Sequence, residues 1–172
     1  MATAFSSINA FNLAETAAVV TINADAWLGS TTNVKTVHTK LRTGDDDDPF
    51  RLYYPHELPA IGVQALNADP DEMNTFQEFI QHLRLGFDVW SSGVDFPTAD
   101  SSIKTIVAYL RRLLRLQTFS PSVNALSSQL DTFLANGDID VEGADFAHYP
   151  GKDGGWLVHG VTFANLSIIS GD

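Results

Sequence analysis

The chain has 172 residues, 44% apolar and 18% charged, which supplies one sizeable core and too little charge for a disordered polyelectrolyte. Ten basic against 21 acidic residues leave a formal charge of -11, which repels a phosphate backbone at long range and argues against tight, sequence-specific nucleic-acid binding. There is no cysteine, so disulfide scaffolds, zinc ribbons, thiol nucleophiles and iron–sulfur ligation are excluded together.

At this length a single domain over residues 1–172 is expected, and neither an internal repeat nor a linker composition divides it. No run approaches the roughly 20 apolar residues that cross a bilayer, so no membrane span is expected. The first basic residue is Lys35, which removes the basic start of a secretory signal and makes synthesis in the cytoplasm the expectation.

In chain order, residues 5–28 are rich in Ala, Leu, Val and Ile and predict a helix, ended by Gly29 and Ser30. Residues 33–42 mix β-branched with polar side chains, and the alternation of Val37, Thr39 and Leu41 predicts a strand. The stretch TGDDDDPF, residues 43–50, breaks it and begins a long projecting loop that runs to Leu58. Pro59 opens PAIGVQAL, which fits a buried strand of about six residues. Residues 79–90 alternate with a period of two, which puts Phe79, Leu83, Leu85, Phe87 and Val89 on the core side of a strand.

Asp100 or Ser101 is placed to cap a helix whose positions Ile103, Ile106, Val107, Leu110, Leu113 and Leu114 fall on one face. Val123, Leu126, Leu130, Phe133 and Leu134 repeat that spacing until Asn136 and Gly137, predicting a second packed helix with a left-handed cap. Residues 139–141 read as a short strand, and residues 146–155, with HYPGKDGG, as a second projection. Residues 156–170 are β-branched and aromatic, with an alternation that changes phase near Ala164, where a bulge or a change of exposure is expected. The order predicts an α+β fold, a mostly antiparallel sheet with two helices packed on one face plus an N-terminal helix.

Motifs of common chemistries are missing: there is no Gly-x-Ser-x-Gly elbow, no His-Glu-x-x-His helix and no Gly-x-Gly-x-x-Gly turn. Lys152 in PGKDGG lacks the upstream glycine and following hydroxyl of a phosphate loop and fits a flexible hairpin tip. The histidines, His38, His56, His82, His148 and His159, show no close pair spacing for a metal. His82 and His159 could meet across a sheet, yet no third ligand is nominated. No catalytic residue, cofactor or metal is assigned.

Charge, by contrast, is segregated. Asp45, Asp46, Asp47 and Asp48 are consecutive, and four such side chains cannot all point at one calcium ion. They fit a solvated loop, or an electrostatic role at an interface or channel. Lys104, Arg111, Arg112 and Arg115 supply four of the ten basic residues, and spacings of seven and four set Lys104, Arg111 and Arg115 along one side of the predicted helix. That stripe is either a solvated helix face or a surface that meets an acidic patch of a neighbouring copy in a head-to-tail ring.

An N-terminal helix, the ELPAIGV strand at residues 57–63, a long strand ending LGFDVWSSG at residues 85–93, a helix after PTADSSI and a final WLVHGVTFANLSI strand occur in that order. The pattern, over most of the chain, resembles the tail terminator proteins of long-tailed bacteriophages and related tail-like particles. The resemblance implies an α+β fold and a hexameric ring at the neck of a virion. Such a ring caps the tail tube, ends its polymerisation and docks the head, a structural role without catalysis. Its partners would be the tail tube protein and a head-completion or connector protein, with DNA passing through the lumen without specific binding. An acidic lumen suits that passage, since attraction at many phosphates would retard it, and Asp45 to Asp48 are candidates to line it. The neighbouring alternative is a head-closure or other neck connector subunit. From another class, a small ligand-binding domain or enzyme would need a pocket lined by His82, His159 and Asp88.

Overall fold

The computed structural model describes residues 10–39, 52–67, 72–75, 78–119, 134–151 and 154–171. In chain order they form α1 (Ala10–Ala24), β1 (Thr36–Thr39), a short 3-10 turn (Pro55–Glu57), β2 (Ala60–Asn67), β3 (Glu72–Thr75), β4 (Glu78–Gly93), α2 (Phe96–Phe119), β5 (Leu134–Pro150) and β6 (Trp156–Gly171). The strands make one sheet in the order β1-β2-β4-β6-β5, and β3 pairs the beginning of β4. Only β1 and β2 run parallel; the other pairs are antiparallel. Both helices pack on the same face, which is the α+β fold that the sequence predicts.

Strand alternation decides which face they cover. Leu83, Leu85, Phe87 and Val89 of β4 are fully buried against the helices, as expected; Phe79 lies outside the described side chains. Ile61, Val63 and Ala65 of β2, Val158, Ala164 and Leu166 of β6 and Ile139 of β5 join the same layer. Across from them α2 presents Ala99, Ile103, Ile106, Val107, Leu110, Leu113 and Leu114, the three-and-four spacing of one helical face. α1 approaches through Ala14, Ala17 and Ala18, small side chains that let its backbone lie close to the sheet, and through the larger Ile22. The buried Glu15 carboxylate accepts the Ala65 amide at 3.0 Å, two residues past the last β2 residue paired with β1. It thereby satisfies a strand N–H that would otherwise be orphaned.

Tight joints connect the layers. After α1, Asp25 Oδ1 accepts the amides of Trp27 and Leu28 at 2.9 and 2.8 Å. A Cβ on Gly29 would lie 2.2 Å from the Asn23 carbonyl oxygen, so only glycine permits this turn. At the other joint, a Cβ on Gly93 would lie 2.7 Å from the Ala99 amide nitrogen, so the end of β4 rests directly on the first turn of α2.

Several expectations are corrected. α2 begins at Phe96, not after a cap at Asp100 or Ser101: the Asp95 carboxylate accepts the Thr98 amide at 2.8 Å, and Pro97 falls in the first turn, where a helix needs no N–H. The second helix predicted over residues 123–136 falls largely outside the described residues, but its end is strand. Leu134, Asn136 and Gly137 belong to β5, where the flanking Leu134 and Ile139 pair with Ile168 and Leu166, and Asn136 and Gly137 fall in the register shift between them. The short strand expected at residues 139–141 is part of this longer one. β6 has no phase change at Ala164: its pairing to β4 is continuous from Trp156 to Gly171, and the register shifts lie in β5 instead, between Leu134 and Ile139 and, as a bulge at Glu142 and Gly143, between Val141 and Ala144. The strand expected over residues 33–42 is seen over Thr36–Thr39, with Leu41 outside the described residues, as are residues 43–50. β5 runs to Pro150 and Gly151 N donates to Gly155 O at 2.7 Å, so residues 146–150 of the expected second projection are strand instead.

Phe87 is among the largest fully buried side chains, at the middle of the central strand. Phe87→Ala should lower unfolding free energy by about 3–5 kcal/mol through lost transfer energy and a residual cavity, measured by urea denaturation.

Candidate functional site

The core face of α2 fixes its rotation and so decides where the basic stripe points. Lys104, Arg112 and Arg115 are exposed, while Arg111 is half-buried at the border, with its Nε buried and without a hydrogen-bond partner among the described residues. Lys104 Nζ donates to Asp100 Oδ2 at 2.7 Å, one turn earlier, and lies 6.0 Å above the Phe146 ring. His148 of β5 meets the other Asp100 oxygen at 2.9 Å, and its ring packs on Phe96 at 4.9 Å. The start of α2 is thereby tied to β5. The Lys104 hydrogen bond, then that of His148, hold the Asp100 carboxyl below its ordinary 3.8. Arg112 and Arg115 make no ion pair among the described residues.

Asp45, Asp46, Asp47 and Asp48 lie outside the described residues. The described acidic surface is on the sheet face away from the helices. In the strand register Asp140 stands beside Asn165 and Arg84, and Asp145 beside Val161 and Asp88, all on that face; Asp140 and Asp145 are exposed. The β5 bulge turns Glu142 onto its neighbours, with Oε2 accepting from Arg84 Nη2 at 2.6 Å and Oε1 from Asn165 Nδ2 at 2.8 Å. Asn165, then Arg84, hold the Glu142 carboxyl below its usual range. The Arg84 guanidinium also lies 3.9 Å over the Phe163 ring.

At one end of the same face is an aromatic cluster. Asp88 accepts from Trp90 Nε1 at 2.8 Å and pairs with His159 Nε2, and the Trp90 and His159 rings stack at 4.3 Å. Tyr53 and Leu58, from the segment before β2, cover Trp90, and Tyr53 Oη bonds His38 Nε2 at 2.8 Å. Of the trio singled out in the sequence, His159 and Asp88 meet and His82 does not. It pairs in register with Ser167, whose Oγ is 2.9 Å from His82 Nδ1, six residues along β4 from Asp88, or about 20 Å at strand rise. His82 and His159 therefore do not face each other across the sheet. Period two had already sorted Arg84, Asp88 and Trp90 opposite to the core set; their partners on β5 and before β2 needed the fold.

Two shallow clefts flank Trp27, which stacks on Tyr109 at 4.0 Å and 3°. One, of about 210 Å3, is bounded by Asp25, Tyr109 and Arg112; the other, of about 230 Å3, by Asn33, Pro59, Ser101 and Thr105. Among the described residues, no three of His, Asp and Glu converge as metal ligands, and no helix is long and apolar enough to cross a membrane. No protein-family model matches the chain, and no curated protein sequence matches it significantly.

The Asp100 contacts have a defined pH signature. Because its folded pKa is lowered, they contribute stability above the ordinary value of 3.8 and lose it as pH falls through the lowered folded value. Asp100→Asn should therefore destabilise the chain at neutral pH, and the gap from wild type should close in strong acid, in urea midpoints followed against pH.

Proposed function

We propose that this protein is a structural subunit of a bacteriophage-type virion, a ring-former that caps the tail tube, ends its polymerisation and joins the tail to the head connector. The observation that carries the reading is the order of elements on one sheet. An N-terminal helix, the strand containing AIGV, a long strand ending LGFDVWSSG, a helix over PTADSSI and a closing WLVHGVTFANLSI strand follow one another, with both helices on a single face. This is the arrangement in which the resemblance to tail terminators consists. The charge supports it in physical terms: a chain of charge -11 that lines or borders a channel does not retain passing phosphates. On this reading the protein works by position, as part of a hexameric ring between the tail tube protein and a head-completion or connector protein. It carries no catalytic centre and holds no cofactor. A head-closure or other neck connector subunit would share this geometry and differ in which partner it keeps.

Antibody-labelled electron microscopy of purified particles is the direct test. Label is expected at the junction of head and tail, and on headless tails, because a tube cap stays with the tube. Label on tailless filled heads alone would replace the terminator with a head-closure subunit, and label away from the neck would overturn the proposal.

A further inference from the structure

The two charged surfaces lie back to back across the sheet. On the helix side, α2 carries Lys104, Arg111, Arg112 and Arg115 against Asp100 alone along its own length, with Asp25 of the turn after α1 across the cleft from Arg112. On the opposite face Asp88, Asp140, Glu142 and Asp145 stand against Arg84. We infer that the exposed basic face of α2 in one copy of this chain docks on the acidic sheet face beside β5 of the next copy, so that copies associate head to tail.

Three observations carry this. First, the sheet stands between the two surfaces, so within one copy Asp140 and Asp145 cannot reach the basic residues of α2. Second, a two-fold contact of either face with itself would lay like charge on like, whereas a head-to-tail contact pairs opposite charges, and such contacts close into rings or run on as filaments. Third, internal partners are unevenly spent. Lys104 is held by Asp100, and Arg84 and Glu142 hold each other, but Arg112, Arg115, Asp140 and Asp145 are exposed and make no ion pair among the described residues. The half-buried Val161 beside Asp145 and the exposed Ala108 between Lys104 and Arg112 give the contact apolar surface as well. Complementary charge of this kind sets register and encounter rate, and salt screens it beyond about 8 Å at physiological ionic strength. The inference deepens the proposed ring by naming its contact faces, and it rests on that reading only for closure of the copies into a ring.

Analytical ultracentrifugation of the full chain, at low and high salt, tests it. Wild type should self-associate at low salt and less at high salt. Arg112→Glu with Arg115→Glu, and separately Asp140→Lys with Asp145→Lys, should each raise the concentration needed for association at least about tenfold. Mixing these two variants should restore association, because each then offers the face that the other needs. Circular dichroism checks folding, and Arg112→Gln with Arg115→Gln replaces a reversal that misfolds. Association untouched by both reversals would overturn these faces and leave the ring standing. A wild-type chain that stays monomeric at low salt and the highest soluble concentration would overturn the contact. Label absent from the neck would end the virion role while the salt-dependent association still stood.

Discussion

Sixteen consecutive residue pairs, from Glu78 with Gly171 to Gly93 with Trp156, hold β4 against β6 without a slip. Because side chains alternate along a strand, a shift of one residue would send Leu83, Leu85, Phe87 and Val89 to solvent and bring Arg84, Asp88 and Trp90 into the core. The uninterrupted ladder therefore fixes which face α1 and α2 cover and which face carries the polar network. The irregularities are displaced to the margins: β3 takes over beside β4 where β2 ends, and the register shifts fall in β5. At each margin a side chain takes up what the ladder leaves. Glu15 accepts the Ala65 amide, and Thr162 Oγ1 donates to the Gly143 carbonyl oxygen at 3.2 Å inside the bulge.

The face away from the helices is not uniform. At one end the chain covers it with its own segment, Tyr53 and Leu58 over Trp90, and the Asp88 carboxylate bonds both the Trp90 indole N–H and His159. These polar groups are satisfied internally, which suits a structural cluster. Toward β5 the cover ends, and Asp140 and Asp145 stand exposed. Burial costs a carboxylate heavily unless it is paired, so this half of the face stays open unless cations are brought to it.

Much of this was legible in the sequence wherever a pattern had one physical cause. Period two in residues 79–90 and the three-and-four spacing from Ile103 to Leu114 gave β4 and α2 their buried sides, since both are set by one large core. The reading failed where a local signal competed with pairing distant in sequence. Asn136 and Gly137 look like a helix end but lie in β5, in the register shift between the paired Leu134 and Ile139, and the apparent phase change near Ala164 belongs to two faces that are both partly buried, with Leu157 covered on one and Val158 on the other. Pro97 looks like a helix breaker from one side and a first-turn residue from the other; only the Asp95 bond to Thr98 decides. The basic stripe was visible because helical spacing exposes it. Its acidic counterpart was not, because Asp140 and Asp145 become a surface only when β5 is set on β6.

The geometry also bears on how copies of such a chain can meet. Among the described residues β5 is an edge strand of 17 residues, the usual route for sheets to join edge to edge, but its bulge kinks the ladder and Asp140, Glu142 and Asp145 follow one another along it. A second β5 laid beside it would bring carboxylates together, so contact through the faces is favoured over contact through this edge. That choice constrains the proposed channel. Carboxylates that pair with Arg112 and Arg115 of the next copy are neutralised and covered, and they cannot also repel phosphates in a lumen. On the proposed arrangement the acidic lining must come from residues outside this contact. The four consecutive aspartates at positions 45–48 are the largest such concentration in the sequence. Of the formal charge of -11, the carboxylates committed to that contact serve cohesion, and only the remainder is left to act on a passing phosphate backbone.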